Sequence, residues 1–68
     1  MTHLERLAKS YEVENFFDYI ITSQMNGNFE HVRELAKKLK RNELVQFVSY
    51  CHTCGGKYGI AACATLTK

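Results

Sequence analysis

Val13, Phe16, Phe17, Ile20 and Ile21 repeat at helical spacing, and the run stops at Asn26-Gly27-Asn28. That pairing constrains the fold more than any other feature of the chain. Five apolar residues at i, i+3, i+4, i+7 and i+8 line one broad face of a helix. Gly27 suits the left-handed position that follows a helix, Asn28 suits the N-cap of the next, and Glu30 is favourable in its first turn. The predicted result is a hairpin of two antiparallel helices. An Asn-Gly hairpin between strands is the competing solution, but the flanking residues do not alternate polar and apolar as it requires.

The same logic extends to both ends. Thr2 is placed to cap a short first helix, with Glu5 completing a capping box and Leu4, Leu7, Ala8 and Tyr11 on its inner stripe. The apolar phase then shifts near Ser10, where a break or bend is expected. Three main helices follow, over about 11–25, 29–40 and 42–54. Phe29, Val32, Leu35, Ala36 and Leu39 form the inner stripe of the second, and Leu44, Val45, Phe47, Val48 and Cys51 that of the third. Asn42 is the expected N-cap of the third, and Gly55-Gly56 is a strong terminator. Residues 57–68 fit either a short helix, with Ile60, Cys63 and Leu66 or Thr67 inward, or an extended arm. The helix is preferred, because no partner strand is apparent. The fold class is therefore all-α: a small bundle forming one domain over residues 1–68.

A chain of 68 residues buries only about 60% of its unfolded surface, so its core is marginal unless an ion, a crosslink or a partner supports it. Nine Lys and Arg oppose seven Asp and Glu, a net charge of +2 that is too small to mark a nucleic-acid binder by itself. Glu5, Arg6 and Lys9 stand where a secretory signal needs an apolar run, and no segment approaches the length of a membrane span. With three cysteines, an odd number, the expectation is a reducing, cytoplasmic setting and no membrane.

All three cysteines lie between positions 51 and 63, in Cys51-His52-Thr53-Cys54-Gly55-Gly56 and at Cys63. Cys51-x-x-Cys54 is the spacing of a bidentate zinc pair. Cys63 is the candidate third ligand, and His31, His52 or His3 the fourth. A zinc ion would also convert binding energy into folding energy. A thiol redox role is the second chemistry, since a histidine inside the motif favours a thiolate. The predicted helix before the motif opposes it, because the cysteines then sit at the C-terminal, negative end of the dipole. The third reading is packing alone: Cys51 continues the stripe of Leu44 and Val48, where a small apolar residue is expected.

Arg33, Lys37, Lys38, Lys40 and Arg41 are opposed locally only by Glu34, and on one helix Arg33, Lys37 and Lys40 or Arg41 would track phosphates. A helix-turn-helix reading is weakened by Glu30 at the start of the would-be recognition helix. Tyr19, Tyr50 and Tyr58 are the candidates for an association patch, because a bundle this small has limited room for all its aromatic rings. No paired carboxylates in a cleft, phosphate loop or His-Glu-x-x-His pattern points to an enzyme. The function expected is therefore a small non-catalytic adaptor or inhibitor that binds a larger protein partner or a second copy of itself. A zinc-stabilised nucleic-acid module and a thiol redox protein are the alternatives.

Overall fold

The computed structural model describes residues 2–66, with helices α1 (His3–Ser10), α2 (Phe16–Met25), α3 (Phe29–Lys37), α4 (Arg41–Thr53) and α5 (Gly56–Leu66). No strand occurs among the described residues, and the all-α bundle expected from the periodicity is what forms. Thr67, the alternative inward residue of the last segment, lies outside the described residues.

Local chemistry sets most of the helix ends. The Thr2 hydroxyl oxygen accepts the Glu5 backbone N–H at 3.1 Å and opens α1. The end of α1 is closed by two backbone bonds, Glu12 N–H to Lys9 O at 3.1 Å and Val13 N–H to Ala8 O at 2.9 Å. This is the Schellman arrangement, and it places Glu12 in the left-handed region at φ 58°. α2 ends in the same way: Gly27, at φ 76°, bonds to Gln24 O at 3.0 Å and Asn28 N–H to Ser23 O at 3.0 Å. Gly27 therefore does what the sequence predicts. Asn28 holds the N-cap position of α3 without a side-chain capping bond.

Three boundaries differ from expectation, each for a local reason. α2 begins at Phe16 rather than near position 11, because the α1 closure consumes Glu12 and Val13 and Asn15 supplies the cap. The Asn15 side-chain oxygen accepts from Phe17 N–H at 2.9 Å and Asp18 N–H at 3.2 Å. α3 stops at Lys37 rather than Lys40, its end tightened by i→i+3 bonds from Lys38 to Leu35 and from Leu39 to Ala36. α4 opens one residue before Asn42, with Lys40 as N-cap, because the Glu43 carboxylate reaches back to the Lys40 N–H at 2.7 Å.

The core joins Phe16, Ile20 and Ile21 of α2, Val32 and Leu35 of α3, Phe47 and Cys51 of α4, and Ala62 of α5, with Ala8 from α1. Each large apolar side chain buried here contributes about 1.5–3 kcal/mol. The segment left open between helix and extended arm is a helix that packs against α2, α3 and α4. Small residues make this possible. A Cβ on Gly59 would lie 2.6 Å from the backbone oxygen of Cys51, and one on Gly55 would lie 2.9 Å from the same atom. α5 thus crosses the last turn of α4 at a distance only hydrogen permits. Thr65 fastens its far end by donating to the Gln24 side-chain oxygen at 2.8 Å.

The close crossing also rotates α5. Its buried residues are Gly59 and Ala62, while Ile60, expected inward, is 54% exposed. Likewise, Phe47 and Cys51 point α4 inward and turn Leu44 and Val48 outward. Phe29, also expected inward, is exposed because it stands in the first turn of α3 ahead of its buried pair, Val32 and Leu35.

Candidate functional site

The cysteines separate into a pair and a single thiol. Cys51 is fully buried on α4 and Cys63 half-buried on α5, near enough that the Cys63 thiol acts on that of Cys51. Burial first, and then the Cys63 hydrogen bond and charge, push the Cys51 thiol up to about 12. Such a thiol stays protonated, the opposite of what an attacking sulfur needs. Cys54 is exposed at the C-cap of α4, 3.6 Å from the Thr53 hydroxyl, which donates to the Ser49 carbonyl at 2.9 Å. His52 donates its Nδ1–H to the Val48 carbonyl at 3.0 Å. His31 instead shares a hydrogen bond of 3.1 Å with the Tyr19 hydroxyl and stands edge-on to the rings of Tyr11 and Tyr19. Among the described residues no three His, Cys, Asp or Glu side chains gather around one point. The arrangement brings together two of the four candidate ligands, Cys51 and Cys63.

The three tyrosines fall in different surroundings. Tyr19 is half-buried in the aromatic group of Tyr11, Phe16 and His31. Tyr50 stacks at an angle on Phe17 and donates its hydroxyl to the Asp18 carboxylate. That hydrogen bond first, then burial and the Asp18 charge, push the Tyr50 hydroxyl up to about 12. Tyr58 is 39% exposed on α5 with the Lys57 ammonium 5.3 Å from its ring centre.

The basic run is likewise divided. Arg33 and Lys37 lie on α3, Lys38 is its C-cap, Lys40 is the N-cap of α4 and Arg41 its first residue. The continuous row through Lys40 or Arg41 that one long helix would present is therefore replaced by two cations on α3 and three at the corner that follows. All five are exposed, and among the described residues none is paired with a carboxylate.

The feature that sequence reasoning missed is apolar. A recess between α4 and α5 is lined by Leu44, Val48, Ile60, Cys63 and Leu66, with His52 at its border. A second recess shares Leu44 and Leu66 with the first and adds Ala36 and Leu39, with Arg33 and Lys37 along its edge. A third continues from Arg33 past Phe29 to Ala61 and Ala64. Together they form one surface around the outward side of α5. Leu44, Val48, Ile60 and Phe29 are 37%, 39%, 54% and 46% exposed there, and Val45 nearby is 66% exposed. The signal in the sequence was the width of the α4 stripe. Leu44 and Val48 form one row at i, i+4, and Phe47 and Cys51 form another one residue further round. One small core takes up only one of these rows.

No protein-family model, curated protein or solved structure matches this chain. No helix among the described residues is long and apolar enough to cross a membrane.

Proposed function

We propose that this protein is a small non-catalytic interaction module, an adaptor or inhibitor that seats part of a larger protein on the α4–α5 face. One observation carries the reading: Leu44, Val48 and Ile60 line adjoining recesses with Leu66, and these three exposed side chains take no part in the core cluster. A row of large apolar side chains left in water costs the free protein about 25 cal/mol per Å², which a partner returns on covering it. Residues at the centre of such a face carry most of the binding energy. The cytoplasm suits the reading, because a reducing compartment keeps Cys51, Cys54 and Cys63 as thiols.

The alternatives draw less support. A phosphate-tracking surface uses cations in a row, whereas here Lys40 and Arg41 leave the α3 row. A zinc site uses a closed set of four ligands, and the pair brought together here is Cys51 and Cys63. A redox site uses a thiolate, and Cys51 is held protonated.

The test is site-specific photo-crosslinking in cells. A photoreactive amino acid at position 60 should give a discrete protein adduct, and the same group at exposed position 9 should not. No adduct at 60, or equal adducts at both positions, defeats the docking reading.

A further inference from the structure

The chemistry of the partner can be taken further, on the footing that the α4–α5 face is where it docks. The three adjoining recesses contain no carboxylate: their only charged side chains are Arg33 and Lys37. Glu5, Glu12, Glu14 and Asp18 line the shallow surfaces over the α1–α2 connection, and Glu30 and Glu34 are exposed on α3 without lining these recesses. Anything seated on the α4–α5 face therefore meets aliphatic side chains in the middle and unpaired positive charge on one flank.

Three kinds of occupant meet that condition to different degrees. A second copy seated face to face brings two like-charged flanks into a single interface, which opposes association. A second copy seated by its acidic side offers Val13, Tyr19 and the buried Ala8 there, and that head-to-tail contact does not close into a dimer. An extended strand gains affinity by adding to a sheet edge, and no strand exists among the described residues. A helix meets the condition in full. It can place large apolar side chains at i, i+3 or i+4, and i+7 into a groove between helices, with carboxylates on the neighbouring arc.

We infer that the occupant is an acidic amphipathic helix of a partner protein, its apolar side chains between α4 and α5 and its carboxylates on Arg33 and Lys37. Arg33 can take a carboxylate through both branches of its guanidinium, and Lys37, one turn further along α3, supplies a point charge. The two together set which helices are accepted, and the apolar recess sets how tightly.

The test uses designed, dye-labelled helical peptides of about 15 residues, long enough to form a helix. One carries Leu at the anchor positions with Glu on the flank; the others carry Gln or Lys in place of Glu. Fluorescence anisotropy should rank them Glu, Gln, Lys, with the Glu peptide about fivefold tighter than the Gln peptide at low salt and the gap closing in high salt. The double variant Arg33→Glu/Lys37→Glu should invert the ranking. Ile60→Ser, at a half-exposed position whose thermal melt serves as a folding control, should weaken all three. Equal binding of the three peptides, or a ranking that the double variant leaves unchanged, overturns the acidic helix. Loss of all binding on Ile60→Ser then still upholds the docking face. No peptide binding alongside a protein adduct at position 60 overturns the inference and spares the docking reading; absence of both defeats the two together. Phosphatidylcholine–phosphatidylserine vesicles that compete the Glu peptide away through Ile60, or a doubled mass in sedimentation that Ile60→Ser abolishes, would replace the helix by a lipid surface or a second copy.

Discussion

Where α1, α2 and α3 meet, the chain covers its own apolar surface; between α4 and α5 it does not. On the first side Tyr11, Phe16 and Tyr19 pack ring against ring at 5.6–6.5 Å, and the Tyr19 hydroxyl ends on His31. On the second, Leu44, Val48 and Ile60 stand in a shallow recess with no further element over them among the described residues. Both regions are rich in large apolar residues, so composition alone does not separate them. The difference is that aromatic side chains with polar tips can bury their rings and still place their hydroxyls on a partner, whereas aliphatic side chains can only be covered. The first region closes over its own rings, and the second leaves Leu44, Val48 and Ile60 exposed.

Both regions rest on the α4–α5 crossing, so the largest effect should come from breaking it. Gly59→Ala puts a methyl group 2.6 Å from the Cys51 backbone oxygen, and no side-chain movement relieves the clash. The expected loss is about 3 kcal/mol, read as a fall in chemical-denaturation midpoint. Because Cys51 and Ala62 separate together, the closed side should lose cooperativity as well as the open one.

A smaller effect tests the polar link between α1 and α4. The Glu43 carboxylate, buried at 7% side-chain exposure, accepts the His3 Nδ1–H at 2.7 Å and the Lys40 N–H at 2.7 Å. Burial is the largest single influence and pushes the Glu43 carboxyl up. The Lys40 hydrogen bond and the His3 hydrogen bond and charge together outweigh it, and the carboxyl ends below its ordinary value of 4.5. A lowered carboxyl adds stability above its ordinary value and loses it as pH falls through the lowered one. Melting curves between neutral pH and about pH 3 should therefore show an acid-dependent loss that Glu43→Gln removes. At neutral pH that variant should cost about 1–2 kcal/mol. An unchanged acid profile would mean the link is not carried by charge.

The two helix ends of identical closure allow a gain. Gly27 and Glu12 occupy the same left-handed position after α2 and α1, but only glycine adopts it without steric cost. Glu12→Gly should stabilise by about 0.5–1 kcal/mol, measured by thermal melting. The smallest expected change is the most discriminating. Ile60→Ser should alter stability by less than about 0.5 kcal/mol while weakening the binding of all three peptides. A large loss of stability there would erase the distinction between the two regions.

Much of this fold was legible in advance. The Asn26-Gly27-Asn28 turn, the break near Ser10 and the Thr2 cap all follow from hydrogen bonds between residues at most five apart, and such effects are written locally. What was not legible depended on partners distant in the chain. Glu43 caps α4 locally through the Lys40 N–H, but its burial against His3, forty residues earlier, had no local sign. Ile60 was expected inward because a helix of that composition has one obvious apolar stripe. The inward stripe is instead Gly59 and Ala62, chosen by how closely α5 can approach Cys51. The exposed aliphatic face between α4 and α5 follows from that choice, so a surface made of ordinary aliphatic residues had no motif to announce it.

The Glu43 link also bears on how the molecule opens. One carboxylate oxygen holds both the first residue of α1 and the amide that precedes α4. When α1 lifts away, the start of α4 loses part of what fixes its cap, so the two events are coupled rather than independent. In hydrogen exchange the Lys40 amide should therefore report on α1: its protection should fall when His3 is replaced by alanine, although position 3 lies in another helix. α1 then acts less as an appendage than as a latch whose release is felt at the edge of the basic corner.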